Sequence, residues 1–348
     1  MERKPKPPTT RAGLRRSRLK SLLAAACLAV LTGAGSTLQG SNRGFLFYFE
    51  AQAVAAWDMT ARALDLFSLV PHEAMQNPSL GFDSVLRLRR RKVDMGYLAV
   101  QARLAYDQKG DKPFRLQLFN AFLRLKTKPA DLWAGHNKPA FGLAYGLDNH
   151  ALLLPDAPMT GVGFDRDWGV GAHRDLRRGD VALSLTAGSG MALRFDGGYL
   201  VSVRISRGVA VRDNYNFGLS LAAGRVSAGM GSENEQAAEP SAWQALAVDG
   251  TYFWRNLESR LEVILGRRAG GAEHLVLFRQ GLNLLQEARL KLEAQAAAKR
   301  MEAGWRCQFA GGAALRLNAD LTLRAMLLRD GETAGTRLVF QLYYYRPV

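Results

Sequence analysis

Arginine residues recur at every second position in parts of this chain, a spacing that could serve anion binding. Arg87, Arg89 and Arg91 alternate with leucines, and Arg103 lies on the polar side of the next alternating segment. In an extended strand, residues two apart point to the same side, so these arginines would share one face. A guanidinium stays charged and can hold a phosphate or a carboxylate through two hydrogen bonds. The pattern predicts an anion-binding face. Two further candidates with the same placement are Arg204 and Arg324.

The same arginines could instead pair with carboxylates and hold the protein wall together. For the cluster at positions 87, 89, 91 and 103, both interpretations remain open. For the arginines taken singly, pairing within the wall is the simpler interpretation, because an unpaired charge is costly wherever it is partly buried. The candidate partners are Asp107, Asp180, Glu258, Glu262 and Glu293.

The chain lacks the short motifs that mark common enzymes. It contains no G-x-S-x-G motif, no P-loop lysine motif and no His/Cys metal-binding spacing. His72 and Glu73 resemble the start of a zinc-binding H-E-x-x-H motif, but Gln76 stands where the second histidine is required. We therefore predict no catalytic residues, no metal site and no cofactor.

Strict alternation of apolar and polar residues dominates the rest of the sequence. In residues 98–106 the even positions are Leu, Val, Ala, Leu and Tyr, whereas Gln101 and Arg103 lie between them. This period of two indicates β-strands. Similar segments recur, separated by short turns and longer polar loops, which is typical of an antiparallel meander. Residues 280–300 fit either one helix or two strands with a turn near 286–288, and the alternation at 290–296 favours strands.

The apolar residues are numerous but dispersed. They make up 48% of the chain, yet the mean hydropathy is only −0.12, and the one long uncharged apolar run is residues 21–36. Its apolar centre, residues 22–31, is shorter than the roughly 20 residues that a spanning helix needs. A chain that distributes apolar residues by alternation is typical of a membrane barrel. We predict an all-β, antiparallel transmembrane β-barrel of about 14 to 16 strands.

Residues 1–36 have the properties of a signal peptide, and residues 37–348 would then form the barrel. A basic segment precedes the apolar run, and a stretch of small residues follows it. Arg15 and Arg16 partly resemble a twin-arginine export signal; the general secretory route is favoured because a barrel must cross the inner membrane unfolded. The net charge of +16 falls when this segment is removed but stays positive. Because the remaining charge is scattered over strands, we expect no nucleic-acid partner.

The stretch from residue 115 to 143 and the segment 164–176 resemble phosphate-selective porins, which are outer-membrane barrels of Gram-negative bacteria. In that family an aromatic-containing strand leads to a G-x-x-K-x-P-F-G turn, and the next strand opens on R-D-x-G-V. The matching residues here are Gly135, Lys138, Pro139, Phe141, Gly142, Arg166, Asp167, Gly169 and Val170, with Ala140 inserted. The resemblance implies an outer-membrane channel for diffusion of small anionic solutes, surrounded by outer-membrane lipid and often assembled as a homotrimer.

The loop between these two motifs is a candidate constriction. It contains Asp148, Asn149, His150 and Asp156 among apolar residues. Such a loop either folds into the pore or covers the surface, and the surface position is the simpler interpretation.

Two other functions remain as alternatives to a porin. The barrel could be a sleeve or scaffold for a partner such as a multihaem cytochrome in an outer-membrane electron conduit. It could also be a soluble, basic, all-β binding protein, which detergent-free extraction would reveal.

Overall fold

The computed structural model describes residues 44–66, 77–91, 93–107, 113–147, 153–227, 239–301, 304–331 and 335–348. The predicted signal peptide lies outside these ranges, as do three of the four candidate constriction residues, Asp148, Asn149 and His150.

The described residues are almost entirely β-strand. The strands are β1 (Phe45–Asp58), β2 (Ala63–Asp65), β3 (Ser79–Arg90), β4 (Val93–Tyr106), β5 (Phe114–Lys126), β6 (Asp131–Asn137), β7 (Asp167–Leu176), β8 (Gly179–Thr186), β9 (Tyr199–Arg207), β10 (Tyr215–Val226), β11 (Ser241–Trp254), β12 (Leu257–Arg268), β13 (Gly271–Leu284), β14 (Leu290–Met301), β15 (Gly304–Arg316), β16 (Leu321–Asp330) and β17 (Thr336–Pro347). One helical turn, α1 (Ala210–Asp213), and three single 3₁₀ turns complete the elements. No helix among the described residues is long and apolar enough to cross a membrane.

These strands form one closed antiparallel sheet. Each long strand pairs with its neighbours in sequence, and β1 pairs with both β3 and β17, which closes the ring. The three-residue β2 adds only to the end of β1, so the barrel has sixteen strands. The predicted all-β antiparallel barrel, at the upper limit of the expected strand number, is confirmed.

The two ends of the barrel differ in their connections. At one end, which we call the short-turn end, the chain enters β1 and leaves β17, and the turns include 177–178 and 255–256. At the opposite, long-loop end, the connections include 59–78, 138–166 and 227–240. The connection 138–166, between β6 and β7, is the longest within the barrel and positions the candidate site.

Alternation separates an inner from an outer surface, as the sequence predicted. On β4, Arg103 is 1% exposed on the inside, whereas its neighbour Leu104 is 50% exposed on the outside. The same division holds on β8, where Ser184 is buried while Leu183 and Leu185 are each about half exposed. Polar residues therefore line the lumen and leucine-rich rows face outward, the arrangement of a membrane barrel.

Several local predictions can now be compared with the structure. Residues 280–300 form two strands, β13 and β14, around a 3₁₀ turn at Gln286–Ala288, as the alternation favoured. By contrast, Arg91 does not continue the arginine row. Strand β3 ends at Arg90, and Arg91 has a φ of 47° in the following turn.

Gly135 on β6 lets the backbone of β5 come closer than any residue with a side chain would allow. Its φ is +127°, and a Cβ atom there would overlap the backbone carbonyl of Ala121 on β5. We therefore expect Gly135→Ala to lower the free energy of unfolding by more than about 1 kcal/mol, since alanine cannot adopt this conformation without strain. Urea unfolding of the refolded barrel in detergent measures the change. The control is Gly146→Ala, where no atom lies within 4 Å of the added Cβ and φ is negative. Equal stability of the two variants would contradict the prediction.

Candidate pore interior

The described parts of the connection 138–166, which are residues 138–147 and 153–166, fold into the lumen, and we call them the inner loop. Its first part is held through backbone N–H groups that donate to lumenal side chains of three strands. Ala140 N donates to Ser184 Oγ of β8 at 3.0 Å, and Gly142 N donates to Ser220 Oγ of β10 at 3.1 Å. The third such bond runs from Leu143 N to Glu262 Oε1 of β12 at 2.8 Å.

The second part of the inner loop is held through its carbonyl groups. Arg279 Nη2 on β13 donates to the carbonyl oxygens of Leu154 and Pro155 at 3.2 and 3.1 Å. Gln295 Nε2 on β14 also donates to Pro155, at 2.7 Å. Lys299 Nζ, further along β14, donates to the carbonyl of Thr160 at 2.7 Å. The wall thus supplies acceptors to the first half of the loop and donors to the second.

An aromatic cluster fixes both ends of the inner loop to β11. Trp243 is 1% exposed, and its ring lies 5.4 Å from that of Phe141 and 6.2 Å from that of Phe164, measured between centroids. Its indole Nε1 donates to Glu273 Oε2 at 2.7 Å, which satisfies its only polar group. Edge-to-face pairs of this kind add about 0.5–1.5 kcal/mol each beyond the burial of apolar area.

The middle of the inner loop reaches another part of the wall. Leu153 and Leu154 are each 4% exposed and belong to one buried apolar cluster with lumenal residues of β1, β15, β16 and β17. The loop therefore touches the wall from β8 round to β1 and takes up part of the cross-section. Of the two interpretations of this loop, the simpler one, a surface loop, is wrong. The lumen provides partners for the loop's backbone and apolar cover for its leucines.

Asp156, the one candidate constriction residue that the structure describes, supports the loop from within. It is 3% exposed, and its Oδ1 accepts a hydrogen bond from Met159 N at 3.0 Å. Near the start of the loop, burial raises the pKa of Tyr145 to about 12, so this phenol is neutral at pH 7. Its ring centroid lies 5.9 Å from the guanidinium carbon of Arg204.

The motif residues quoted above stand at the two ends of the inner loop. Lys138 Nζ donates to the carbonyl of Ala144 at 2.9 Å and to that of Leu147, so it binds the loop to itself. At the other end, the guanidinium of Arg166 lies 3.3 Å from the ring centroid of Phe119 and pairs with Asp165 at 2.5 Å. These contacts of Lys138 and Arg166 hold the two ends of the inner loop in shape.

Two of the six candidate arginines form buried ion pairs. Arg103 pairs with Glu50 of β1, and both side chains are at most 1% exposed. Arg204 pairs with Asp249 at 2.6 Å, and these side chains are 4% and 1% exposed. These arginines face the lumen, yet their charges are already matched, as in the wall-pairing interpretation. Arg324 donates to Gln341 Oε1 at 2.9 Å and lies over the ring of Tyr343.

The remaining candidates lie together at the short-turn end. Arg87 is exposed and sits opposite Tyr97 of β4 in the sheet register. Arg89, also exposed, sits opposite Asp94 beyond a β-bulge, and Lys126 Nζ binds the same carboxylate at 2.7 Å. The structure thus brings Arg87 and Arg89 to one mouth of the lumen and leaves Arg91 in the adjoining turn.

Several residues that build this interior were not predicted. Glu50 had a usable signal, because alternation places it with Gln52 on the polar side of β1. Ser184, Ser220 and Trp243 had none, since nothing in the local sequence distinguishes a loop-binding serine or tryptophan from any other residue on the lumenal face.

The comparisons with known proteins concern the fold. No protein-family model matches the chain, and no curated protein does. Among solved structures, OmpF of Salmonella typhi, in complex with daunomycin, has a TM-score of 0.65 at 10% identity, covering 87% of this chain and 97% of that one. The trimer form of OmpT, an outer membrane protein of Vibrio cholerae, has a TM-score of 0.60 at 11% identity, with coverages of 87% and 99%. An anion-selective porin from Comamonas acidovorans has a TM-score of 0.55 at 12% identity, with coverages of 87% and 98%. The fold is that of the outer-membrane porins.

Removing the aromatic anchor should release the inner loop. We expect Trp243→Ala to speed amide hydrogen exchange in a peptide covering residues 138–147, because both Phe141 and Phe164 lose their partner. Truncating a buried tryptophan typically costs about 3–5 kcal/mol. Hydrogen-exchange mass spectrometry of the folded barrel measures the effect. Trp254→Ala is the matched control, since Trp254 is 56% exposed at the far end of the same strand. Unchanged exchange in Trp243→Ala would refute this role.

Proposed function

We propose that this protein is an outer-membrane porin through which small solutes, preferentially anions, diffuse along a water-filled lumen. The observation that carries the proposal is a loop bound inside a closed barrel with a polar inner face. Such a loop narrows the lumen, and a narrowed, polar, walled passage can select small solutes by size and charge. The porin fold of the chain and the anion-selective porin among the similar structures support the same function.

The preference for anions follows from which lumenal charges stay accessible. Six strand carboxylates on the inner face are each at most 6% exposed, whereas Arg87 and Arg89 are exposed at the short-turn mouth. The six are Glu50, Asp167, Asp249, Glu258, Glu262 and Glu273. A passing anion therefore meets guanidinium groups while much of the compensating negative charge is buried in the wall. Rings or ladders of such cations are how anion pores select.

The wider setting is also part of the proposal. Residues 1–36 act as a signal peptide that directs export through the inner membrane, and the barrel inserts in the outer membrane. A homotrimer is the expected assembly, in line with the trimer form of one similar structure. Preference for phosphate within the anions rests on the motif residues of the phosphate-selective type. The sleeve interpretation is weaker, because the inner loop occupies space that a cytochrome partner would need.

Charge removal at the short-turn mouth should reduce anion preference. In a planar bilayer with a salt gradient, we expect stepwise openings whose reversal potential indicates faster passage of anions, and Arg87→Gln should lower the anion-to-cation permeability ratio. A unit charge 4 Å from an ion in water contributes about 1 kcal/mol, so the reduction is up to roughly fivefold at low salt. The difference should vanish near 1 M salt, where the Debye length is about 3 Å.

Arg90→Gln is the control for this measurement, because Arg90 ends the same strand but occupies the outward register position. An equal loss of anion preference in both variants would exclude a lumenal role for Arg87. An inserted barrel that conducts nothing would exclude the diffusion pore itself.

A further inference from the structure

The outer surface of the barrel carries a basic arc at the long-loop end. Exposed arginines occupy outward register positions near the ends of β10, β12, β14 and β16, and a histidine does so on β13. They are Arg225, Arg267, Arg300, Arg329 and His274. On the described parts of β10 to β16, every carboxylate residue falls at a lumenal register position instead. Those whose side chains are described are Asp249, Glu258, Glu262, Glu273 and Glu293. On these strands the described outward charges at the long-loop end are therefore positive.

A groove on the outer wall runs up to this arc. It has a volume of about 640 Å³, and most of its lining is leucine, valine and alanine from β8 to β12. The smallest outward side chain in its wall is that of Ala223. This residue lies two positions along β10 from Leu221, and Leu221 lies opposite Leu246 in the register. The polar residues at its long-loop end are Gln244, Arg267 and His274. An apolar trough with a cationic head matches an amphiphile with one anionic end.

The polar end of the groove is a row of two register pairs across four strands, offset from each other because Arg267 lies opposite Ala272. Gln244 lies directly opposite Arg267 in the register, and His274 lies directly opposite Arg300. His274 Nδ1 accepts a hydrogen bond from Gly266 N at 3.3 Å, so the neutral ring carries its proton on Nε2. The arginines and the histidine of the row can therefore only donate hydrogen bonds to a ligand. Charge-assisted hydrogen bonds from such donors to a phosphate are among the strongest in proteins.

We propose that this groove binds a phosphate-bearing membrane lipid. An acyl chain lies along the apolar trough, and the phosphate is held by Arg267, His274 and Arg300. The inference rests on the proposed function in one respect, since it needs the outer wall to face lipid. Burying an acyl chain removes apolar surface from water, and the basic row selects lipids that carry phosphate.

A second groove on the same barrel is apolar along its whole length and serves as a comparison. It crosses the outer face of strands β5 to β9, has a volume of about 570 Å³, and has no charged residue in its lining. Leu125, Leu132 and Val170 are typical of its wall. The combination of trough and cationic head thus distinguishes the first groove from this one.

The test is native mass spectrometry of the folded barrel in detergent with three probes at equal concentration. The probes are dioleoyl phosphatidylglycerol, dioleoylglycerol without phosphate, and inorganic phosphate. We expect bound phosphatidylglycerol on the wild type, and an apparent affinity at least about tenfold lower in the triple variant Arg267→Gln, His274→Gln, Arg300→Gln. Tenfold corresponds to about 1.4 kcal/mol, the size of one charged hydrogen bond.

The control variant removes three outward basic residues at the short-turn end, with Arg90→Gln, Arg174→Gln and Arg346→Gln. It should bind phosphatidylglycerol as the wild type does, and Ala223→Leu should weaken binding without any change in charge. Equal binding of dioleoylglycerol, equal loss in the control variant, or an unchanged triple variant would each overturn the proposal. Inorganic phosphate bound as tightly as the lipid would overturn the role of the groove. Single-channel conductance of the triple variant should match the wild type, so failure of the lipid site is distinguishable from failure of the pore.

Discussion

The barrel depends on the requirement that every backbone polar group within it finds a partner. A sheet satisfies this requirement only if it closes, because an open edge leaves a row of unpaired N–H and C=O groups. Closure here falls between β1 and β17, which pair over eleven residues from each strand. Stacked tyrosines reinforce this seam on the lumenal side, with the rings of Tyr48 and Tyr345 4.8 Å apart between centroids. Everything inside the barrel, including the inner loop, relies on that closed wall.

The same requirement explains why the inner loop can lie in the lumen. A buried loop normally carries backbone groups that nothing satisfies. Here the wall supplies hydroxyl and carboxylate acceptors to one half of the loop, and guanidinium, amide and ammonium donors to the other. Glu262 is 2% exposed at the position where it receives Leu143 N. Wall side chains such as this one hold the loop, whereas Arg87 and Arg89 are exposed at the short-turn mouth.

The sequence predicts the fold well because alternation is a local signal. Whether Leu104 faces outward and Arg103 inward can be read from a few residues, and the division of 280–300 into two strands follows from the same pattern. The end of the arginine row could not be read in this way. Arg91 adopts a positive φ in the turn, and arginine has no particular preference for this conformation that would reveal it in the sequence. The bulge at Phe119, where β5 has one more residue than β4, had no local signal either.

The candidate site was harder to predict because its contacts join distant parts of the chain. The three hydrogen bonds that dock the first half of the inner loop link residues 44, 78 and 119 positions apart. No pattern within the loop specifies such partners, so its position inside the barrel could not be derived from its composition. The pairing of Arg103 with Glu50 is equally remote, and it converts a candidate ligand-binding residue into part of the wall. Alternation is consistent with a lumenal position for both residues, but it does not indicate that they meet.

The way in which the wall holds the inner loop bears on how the lumen of the barrel could change over evolutionary time. Six of the loop residues that dock to the wall do so through main-chain atoms, which every amino acid possesses except that proline lacks the N–H. Side chains at those positions can therefore be exchanged, within limits of size and backbone conformation, without loss of the docking bonds. The barrel strands that hold the loop and the loop side chains that face the lumen are thus specified by different parts of the sequence. A lineage could change the surface of the lumen by substitutions in the loop, while the barrel stays the same.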